Sequence, residues 1–247
     1  MPSQRVVVFS LTYNERDNIR PLVEGVLGLG IPGLIMVVAD DNSPDGTGKL
    51  AEDLAREYPG RLLLEPGQGK RGYGAAYRAT VAAIREKIDP DVYVSMDADL
   101  SHDAAAIPAL LAAVGAGAQV AIGSRYVKGG AIRNWPRRRR VISRGANTLA
   151  RMLAGNYRVH DNTSGFRAFT RDVVDAMPWE TFHDKGYQFL LTFLSYAYRK
   201  RFRVVEVPIT FTERVHGASK LRTRDVVGFF GNAARIRMAI LTRRWAR

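Results

Sequence analysis

The 247-residue sequence predicts an α/β fold, a sandwich of helices around a mostly parallel central sheet. Three observations carry that expectation. Short runs of Val, Ile and Leu alternate with longer stretches of helical periodicity along the chain. A composition of 46% hydrophobic and 25% charged residues suits one sizeable core. No Pro/Gly/Ser-rich linker divides the chain, so one domain is expected.

The elements follow in order. RVVVFSL (residues 5–11) reads as a buried strand, and NERDNIRPLVEGVLGL places Ile19, Leu22, Val23, Val26 and Leu27 at helical spacing. LIMVVAD is the next strand, followed by a turn and the helix PDGTGKLAEDLAREY. RLLLE is a short strand, and GYGAAYRATVAAIREK is a helix entered through glycines. DVYVSMD and VAIGSRY are strands on either side of the helix DAAAIPALLAAVGAG. Beyond Tyr126 a basic loop leads into a helix whose Val141, Ile142, Ala146, Leu149 and Leu153 share one side. KGYQFLLTFLSYAYRKRF is a further helix, and VVEVPITF is a strand in which Pro208 favours a sheet edge. The basic, aromatic residues 222–247 read as a C-terminal amphipathic helix belonging to the same domain as 1–221.

Composition excludes several classes of site. With no cysteine there is neither a disulfide framework nor a thiolate metal site, and His102, His160, His183 and His216 are too scattered for a zinc motif. A hard cation held by carboxylates is the metal chemistry that remains. No run reaches the length of a membrane span, and no apolar leader precedes the first strand, so no cleaved export signal is expected. The net charge of +13 is concentrated in residues 130–160, with eight arginines and no acid, and in residues 214–247, with nine Lys/Arg against Asp225. Such segments attract nucleic acid, anionic lipid or phosphorylated ligands, or are simply solvated faces.

In a parallel sheet, ligands bind at the carboxyl ends of the strands. That rule selects Tyr13 and Glu15 after the first strand, Asp40 and Asp41 after the second, Asp97 and Asp99 after the fourth, and Arg125 after the fifth. Side chains one residue apart on an extended strand point to opposite faces. Asp97 and Asp99 therefore converge only if the chain turns, which small Ala98 permits; they are either solvated turn residues or the carboxylates of a divalent-cation site. In ADDNSPDGTG the aspartates cap a turn, or Asp41 hydrogen-bonds a nucleotide. GQGKRG matches G-x-G-x-x-G, but the dinucleotide fingerprint belongs to the first β-α unit, so a nicotinamide-binding domain is disfavoured. Lys70 and Arg71 there either belong to a glycine-rich bend or supply charge near phosphates. FTERVHGASKL is a surface loop, or a segment whose Arg214 and Lys220 clamp phosphates.

Taken together, TYNE, DDNSPDGT, GKRGYG, DADLSH, GSRY, TSGFRAF and VPITFTERVHGASKL, spanning about residues 6–221, resemble the family 2 GT-A glycosyltransferases, and more narrowly the polyprenol- and dolichol-phosphate mannose synthases. The resemblance implies inverting transfer of mannose from GDP-mannose to a polyprenyl phosphate with Mg2+ or Mn2+. It places Leu11, Tyr13, Glu15, Ala39, Asp41, Lys70, Asp97 and Ala98 at the donor nucleotide sugar, and Asp99 with Asp97 and Ser101 at the metal. Arg125, Arg214 and Lys220 would meet donor or acceptor phosphate and, with Asp99, carry the catalysis. Arg137, Arg138, Arg139, Arg140 and Arg144 would face the acceptor phosphate and an anionic membrane surface, the protein lying peripherally on the cytoplasmic face, alone or with a membrane-protein anchor. Asp103 is expected to start the next helix.

Leu11 replaces a proline common in the family, and Thr192 replaces an acidic residue, which bears on acceptor or sugar specificity. The chain also has no C-terminal transmembrane pair, as in the compact form of the family. The same fold with UDP-glucose or a different acceptor is the nearest alternative; a basic nucleic-acid-binding protein and a nicotinamide oxidoreductase are alternatives from other classes.

Overall fold

The computed structural model describes residues 4–213 and 223–242, with side chains from residue 228 onward in the second stretch. The first half runs β1 (Val6–Thr12), α1 (Arg16–Leu27), β2 (Leu34–Asp40), α2 (Thr47–Glu57), β3 (Leu62–Pro66), α3 (Tyr73–Lys87) and β4 (Val92–Ser95). A single 3-10 turn, Ala104–Ala106, leads into α4 (Ile107–Gly115) and β5 (Val120–Ser124). The second half adds β6 (Ala131–Arg133), α5 (Arg137–Ala154), β7 (Arg167–Thr170), α6 (Arg171–Ala176), α7 (Phe189–Arg199), β8 (Val204–Pro208), β9 (Thr210–Thr212) and α8 (Thr223–Leu241).

Seven strands form the main sheet in the order β3-β2-β1-β4-β7-β5-β8. Only β7 opposes its neighbours β4 and β5; the remaining pairs are parallel. Six carboxyl ends therefore open on one edge. Alternation along the strands divides the core. Val8, Met36, Val38 and Val94 pack with Leu22, Leu54 and Leu110 of α1, α2 and α4, whereas Val7, Phe9, Val37 and Tyr93 pack with Tyr77 and Phe193 of α3 and α7. Each such side chain, fully buried, contributes roughly 1.5–3 kcal/mol of hydrophobic stabilisation. The result is the three-layer arrangement that the β-α alternation predicts.

Three features depart from the sequence pattern. TSGFRAF contains the start of β7, hidden because the strand opens on an arginine. Arg167 is fully buried and donates to the carbonyls of Ser164, Leu190 and Asn162 at 2.8, 2.7 and 3.2 Å. VVEVPITF is two strands: β8 lies at the sheet edge and ends at Pro208, and β9 pairs with β6 in a separate two-stranded sheet. Of the apolar row of α5, Leu153 packs against the cluster that α5 forms with α7 and α8, but much of the rest does not enter the core. Val141 and Ile142 are 71% and 60% exposed, and Leu149 is exposed as well. Its buried face is Asn147, Ala150 and Ala154, small residues that let α5 approach Leu191 of α7 and Ala233 and Ile236 of α8.

Candidate active site

β4 delivers the acidic motif. After Ser95 the chain leaves the extended path, and its reversal is fixed by two hydrogen bonds. The Asp97 N–H donates to Nδ1 of His102 at 3.3 Å, and the Ser101 N–H donates to Oδ1 of Asp99 at 3.1 Å. Between them Leu100 adopts φ +59°, a left-handed conformation uncommon for a bulky residue and characteristic of constrained sites. This turn is the condition under which carboxylates at 97 and 99 serve one side. Asp99 and Ala98 are buried, and Asp97 is partly exposed. Asp103 does start the next element, accepting from the Ala105 N–H at 2.9 Å.

His102 is buried, stacked 5.0 Å from Phe166 and edge-on to Phe211 at 5.3 Å. Burial lowers its pKa to about 4, against the pull of Asp99, so the ring is neutral near pH 7. Because Nδ1 accepts from Asp97, the proton belongs on Nε2. Gly165 lies beneath this turn: a Cβ there would stand 2.9 Å from Asp97 Oδ1 and 3.0 Å from the Tyr73 hydroxyl. Only glycine leaves room for both groups. Desolvation, then the neighbouring Asp97 carboxylate, raises the Tyr73 pKa well above the ordinary phenol value.

The ends of β1 and β2 lie level, Leu11 opposite Ala39 and Thr12 opposite Asp40. Asp40 turns into the structure, accepting from the Thr12 hydroxyl at 2.9 Å and the Ser43 N–H at 2.9 Å. Asp45 accepts from the N–H and hydroxyl of Thr47 and from the Arg16 N–H. Burial works to raise its pKa, but those hydrogen bonds hold it below the usual value. Asp41 is the carboxylate of this motif with a different environment: Arg71 holds it through its backbone N–H, Nε and Nη2 at 2.9, 2.9 and 2.7 Å. Lys70 extends its ammonium over the Tyr13 ring, 4.5 Å from the centroid. Glu15 accepts from Asn18 Nδ2 at 2.8 Å.

Arg125, at the end of β5, is buried and gripped by Asp161 through Nε and Nη2, both at 2.7 Å, with Thr163 Oγ1 also 2.7 Å from Nη2. Burial opposes its charge, but Asp161 outweighs that and leaves the arginine pKa raised. Its guanidinium lies 5.2 Å from the Phe211 ring. Of the five arginines expected at the acceptor, Arg140 donates to the Trp135 carbonyl at 3.0 Å and Arg144 lies 5.9 Å from the Tyr126 ring, while Arg139 folds onto the Trp135 ring itself. It pairs with Glu213 at 2.6 Å and lies 3.9 Å over Trp135, which meets Phe211 edge-on. Arg137, Arg138, Arg140 and Arg144 are exposed. Arg214 and Lys220 lie outside the described residues.

Sequence reasoning missed Tyr73, His102 and Asp161. Tyr73 directly follows the glycine bend, and Asp161 is the acid nearest TSGFRAF; each position was a usable signal. Their roles depend on pairings 24 and 36 residues apart in the chain, which no local pattern encodes.

Among the described residues no group of three or more His, Asp or Glu is arranged to hold a metal ion. The Ser101 hydroxyl nevertheless lies buried without a hydrogen-bond partner among those residues, in the turn where its own N–H meets Asp99. Two carboxylates and a hydroxyl are a hard-oxygen set that fits Mg2+ or Mn2+ when phosphate and water complete the coordination. A groove of about 540 Å³ lies at the opposite end of the sheet, where Arg5 and Arg61 line it. Both arginines already donate to backbone carbonyls, so it offers no comparable chemistry.

The chain is similar to proteins of one family. The glycosyl transferase family 2 model matches residues 7–177. A polyprenol monophosphomannose synthase of Mycolicibacterium smegmatis is 47% identical over 91% of the chain and 84% of its own length. An undecaprenyl-phosphate mannosyltransferase of Micrococcus luteus is 40% identical over 88% and 87%. A dolichol-phosphate mannosyltransferase of Pyrococcus furiosus is 36% identical over 94% of this chain and 63% of its own. Among solved structures, glucosyl-3-phosphoglycerate synthase from Mycobacterium tuberculosis with Mn2+ and UDP superposes with a TM-score of 0.62, covering 98% of this chain and 80% of that one at 20% identity. That likeness concerns the fold.

Proposed function

The chain belongs to glycosyl transferase family 2, and from that premise we propose that it transfers mannose, with inversion, from GDP-mannose to the phosphate of a polyprenyl lipid. The observation that carries this reading is the 47% identity to a polyprenol monophosphomannose synthase over 91% of the chain. The chemistry suits the residues. A lipid monophosphate is already anionic near neutral pH. One of its oxygens attacks the anomeric carbon, the bond from that carbon to the diphosphate oxygen breaks, and the electron pair leaves with GDP. No proton has to leave the attacking oxygen, so the protein's tasks are orientation and stabilisation of the departing charge.

In this reading Asp41, fixed by Arg71, meets the donor's base or ribose, with Tyr13, Glu15 and Lys70 beside it. Leu11, Ala39 and Ala98 line the nucleotide, and Asp97 approaches the ribose and diphosphate. Asp97, Asp99 and Ser101 would hold a Mg2+ or Mn2+ ion, which neutralises diphosphate charge when bound. Arg125, its charge matched by Asp161, supports the phosphate region from within. Arg139 is the arginine best placed for the acceptor phosphate, through its fold toward Trp135 and Phe211. Arg214 and Lys220 are assigned to the donor or acceptor phosphate by their sequence positions.

The acceptor requires a lipid surface. No helix among the described residues is long and apolar enough to cross a membrane. α5 instead exposes Val141, Ile142, Leu149 and Met152 among Arg137, Arg138, Arg140 and Arg144, and α8 beside it exposes Met238 and Leu241. An apolar and cationic face of this kind lies in a membrane interface, each cation near anionic lipid contributing roughly 1 kcal/mol. Peripheral attachment at the cytoplasmic face, directly or with a membrane-protein anchor, follows from the reading. Incubation of labelled GDP-mannose with a short polyprenyl phosphate tests it: label should enter the lipid phase only with the divalent ion, and persistent absence of labelled lipid contradicts it.

A further inference from the structure

The turn before α7 carries a buried ion pair that the reading above does not use. Asp184 is 6% exposed; its Oδ2 accepts from the Thr192 hydroxyl at 2.6 Å, and its Oδ1 accepts from Nη2 of Arg235 on α8 at 2.6 Å. Asn232 of α8 donates to Thr192 Oγ1 at 2.8 Å and to the Gln188 carbonyl at 3.1 Å. A buried carboxylate therefore takes its counter-charge from an arginine that is 58% exposed on the C-terminal helix. An acid at position 192 would face the Asp184 carboxylate; the threonine supplies it with a donor instead.

The same turn presses on the donor side. The Asp184 carbonyl accepts from Arg78 Nη1 at 2.9 Å, and the Lys185 carbonyl accepts from the Gly74 N–H at 2.9 Å. A Cβ on Gly74 would lie 2.2 Å from the Asp184 carbonyl oxygen, so this turn rests directly on the first turn of α3. Tyr187 then stacks on Tyr73, with centroids 4.6 Å apart, and the Tyr73 hydroxyl shares the Gly165 niche with Asp97. Contacts thus run from Arg235 on the surface to Tyr73, whose hydroxyl and the Asp97 carboxylate flank the same glycine.

We propose that Asp184, clamped by Arg235, is a positioning residue for donor binding: it fixes the 184–188 turn on α3, sets the placement of Tyr73 and Asp97, and ties donor affinity to the seating of α8. The proposal rests on reading the edge at Asp97 and Asp99 as the donor site. Loss of Arg235 leaves the buried carboxylate short of counter-charge, and loss of the carboxylate removes the clamp between the turn and α8; either change frees the turn to move away from Gly74.

Calorimetric titration of the full chain with GDP and with UDP in the presence of Mn2+, beside thermal melts, tests this in four variants. Asp184→Asn and Arg235→Met are expected to weaken nucleotide binding roughly three- to thirtyfold, the range typical of residues acting through packed neighbours. Arg235→Lys, which keeps the charge, should remain within about twofold of the parent, as should Leu27→Ala, a change in the core on the other face of the sheet and far from the pair. Leu27→Ala should lower Tm at least as far as Arg235→Met does, since it empties a buried position at the end of α1. Affinity that simply follows Tm across the four, or unchanged binding by Arg235→Met, overturns the proposal. The assay contains no lipid, so a parent enzyme that binds nucleotide but never mannosylates a lipid phosphate defeats the proposed reaction and leaves this comparison intact. A parent enzyme that binds no nucleotide defeats the donor-site reading and the positioning role together.

Discussion

Asp97 presents its backbone N–H to Nδ1 of His102, 3.3 Å away, so a neutral imidazole holds the turn that carries the acidic motif. The Asp97 carboxylate, 3.8 Å from the same nitrogen, forms no ion pair near pH 7, because burial keeps the ring unprotonated down to about pH 4.

This arrangement sets a pH dependence of stability. The folded-state pKa of about 4 lies below the ordinary histidine value of 6.5, so between these values the unfolded chain binds the proton and the folded chain does not. Stability from this group is complete above 6.5 and falls as pH drops toward 4, with a slope approaching about 1.4 kcal/mol per pH unit. Urea unfolding from pH 7 to 4.5 should show that loss, and His102→Gln should flatten the profile by that amount.

Asp99→Asn should weaken Mn2+-dependent GDP binding by about a hundredfold or more while lowering Tm little, because the amide keeps an oxygen to accept from the Ser101 N–H but loses the charge that a metal ion needs. Ser101→Ala separates two readings of the buried hydroxyl. Removing an unsatisfied buried group should leave Tm unchanged or higher. If Ser101 completes the metal site, the Mn2+ concentration needed for half-maximal nucleotide binding should rise severalfold. Calorimetry at graded Mn2+ reads both variants.

The Arg125–Asp161 pair is fully desolvated, so breaking one side should be costly. Asp161→Asn should destabilise the protein by about 3–5 kcal/mol, and Arg125→Met combined with Asp161→Leu should recover most of it, since apolar replacement of a buried pair is often near neutral. Activity should fall in both, because the phosphate region loses its arginine in one and its fixed orientation in the other. Denaturant midpoints and turnover separate the two effects.

Val141→Asp with Ile142→Asp should reduce sedimentation with vesicles containing anionic lipid at least tenfold, through lost apolar contact and added repulsion. The two positions are 71% and 60% exposed, so Tm should barely change. Turnover of a short, water-dispersed polyprenyl phosphate should persist. Equal loss on both acceptors would contradict a membrane role for this face.

Much of the fold was legible because the strands are apolar and the helices periodic: β1 to β5 appear within a few residues of where VVVF, LIMVVAD, LLLE, VYVS and VAIG place them. β7 was not, because Arg167 interrupts its apolar run and finds only carbonyls in the interior. α5 was read correctly as a helix, but its apolar side turned outward; periodicity reports a face and not what covers it. At the site, the strand-end rule selected Asp41, Asp97, Asp99 and Arg125. It could not foresee that Arg71 would hold Asp41 or Asp161 would hold Arg125, since those pairings exist only after the chain folds.

The central claim is the identity of the substrates. The most direct measurement is kcat/KM for GDP-mannose, UDP-glucose and UDP-GlcNAc with one short polyprenyl phosphate, in the presence and absence of Mg2+ or Mn2+. Metal-dependent transfer from GDP-mannose, favoured by about a hundredfold or more over either UDP sugar, is the predicted result. Preference for a UDP sugar, or failure of every lipid phosphate to accept mannose while another acceptor does, would contradict it.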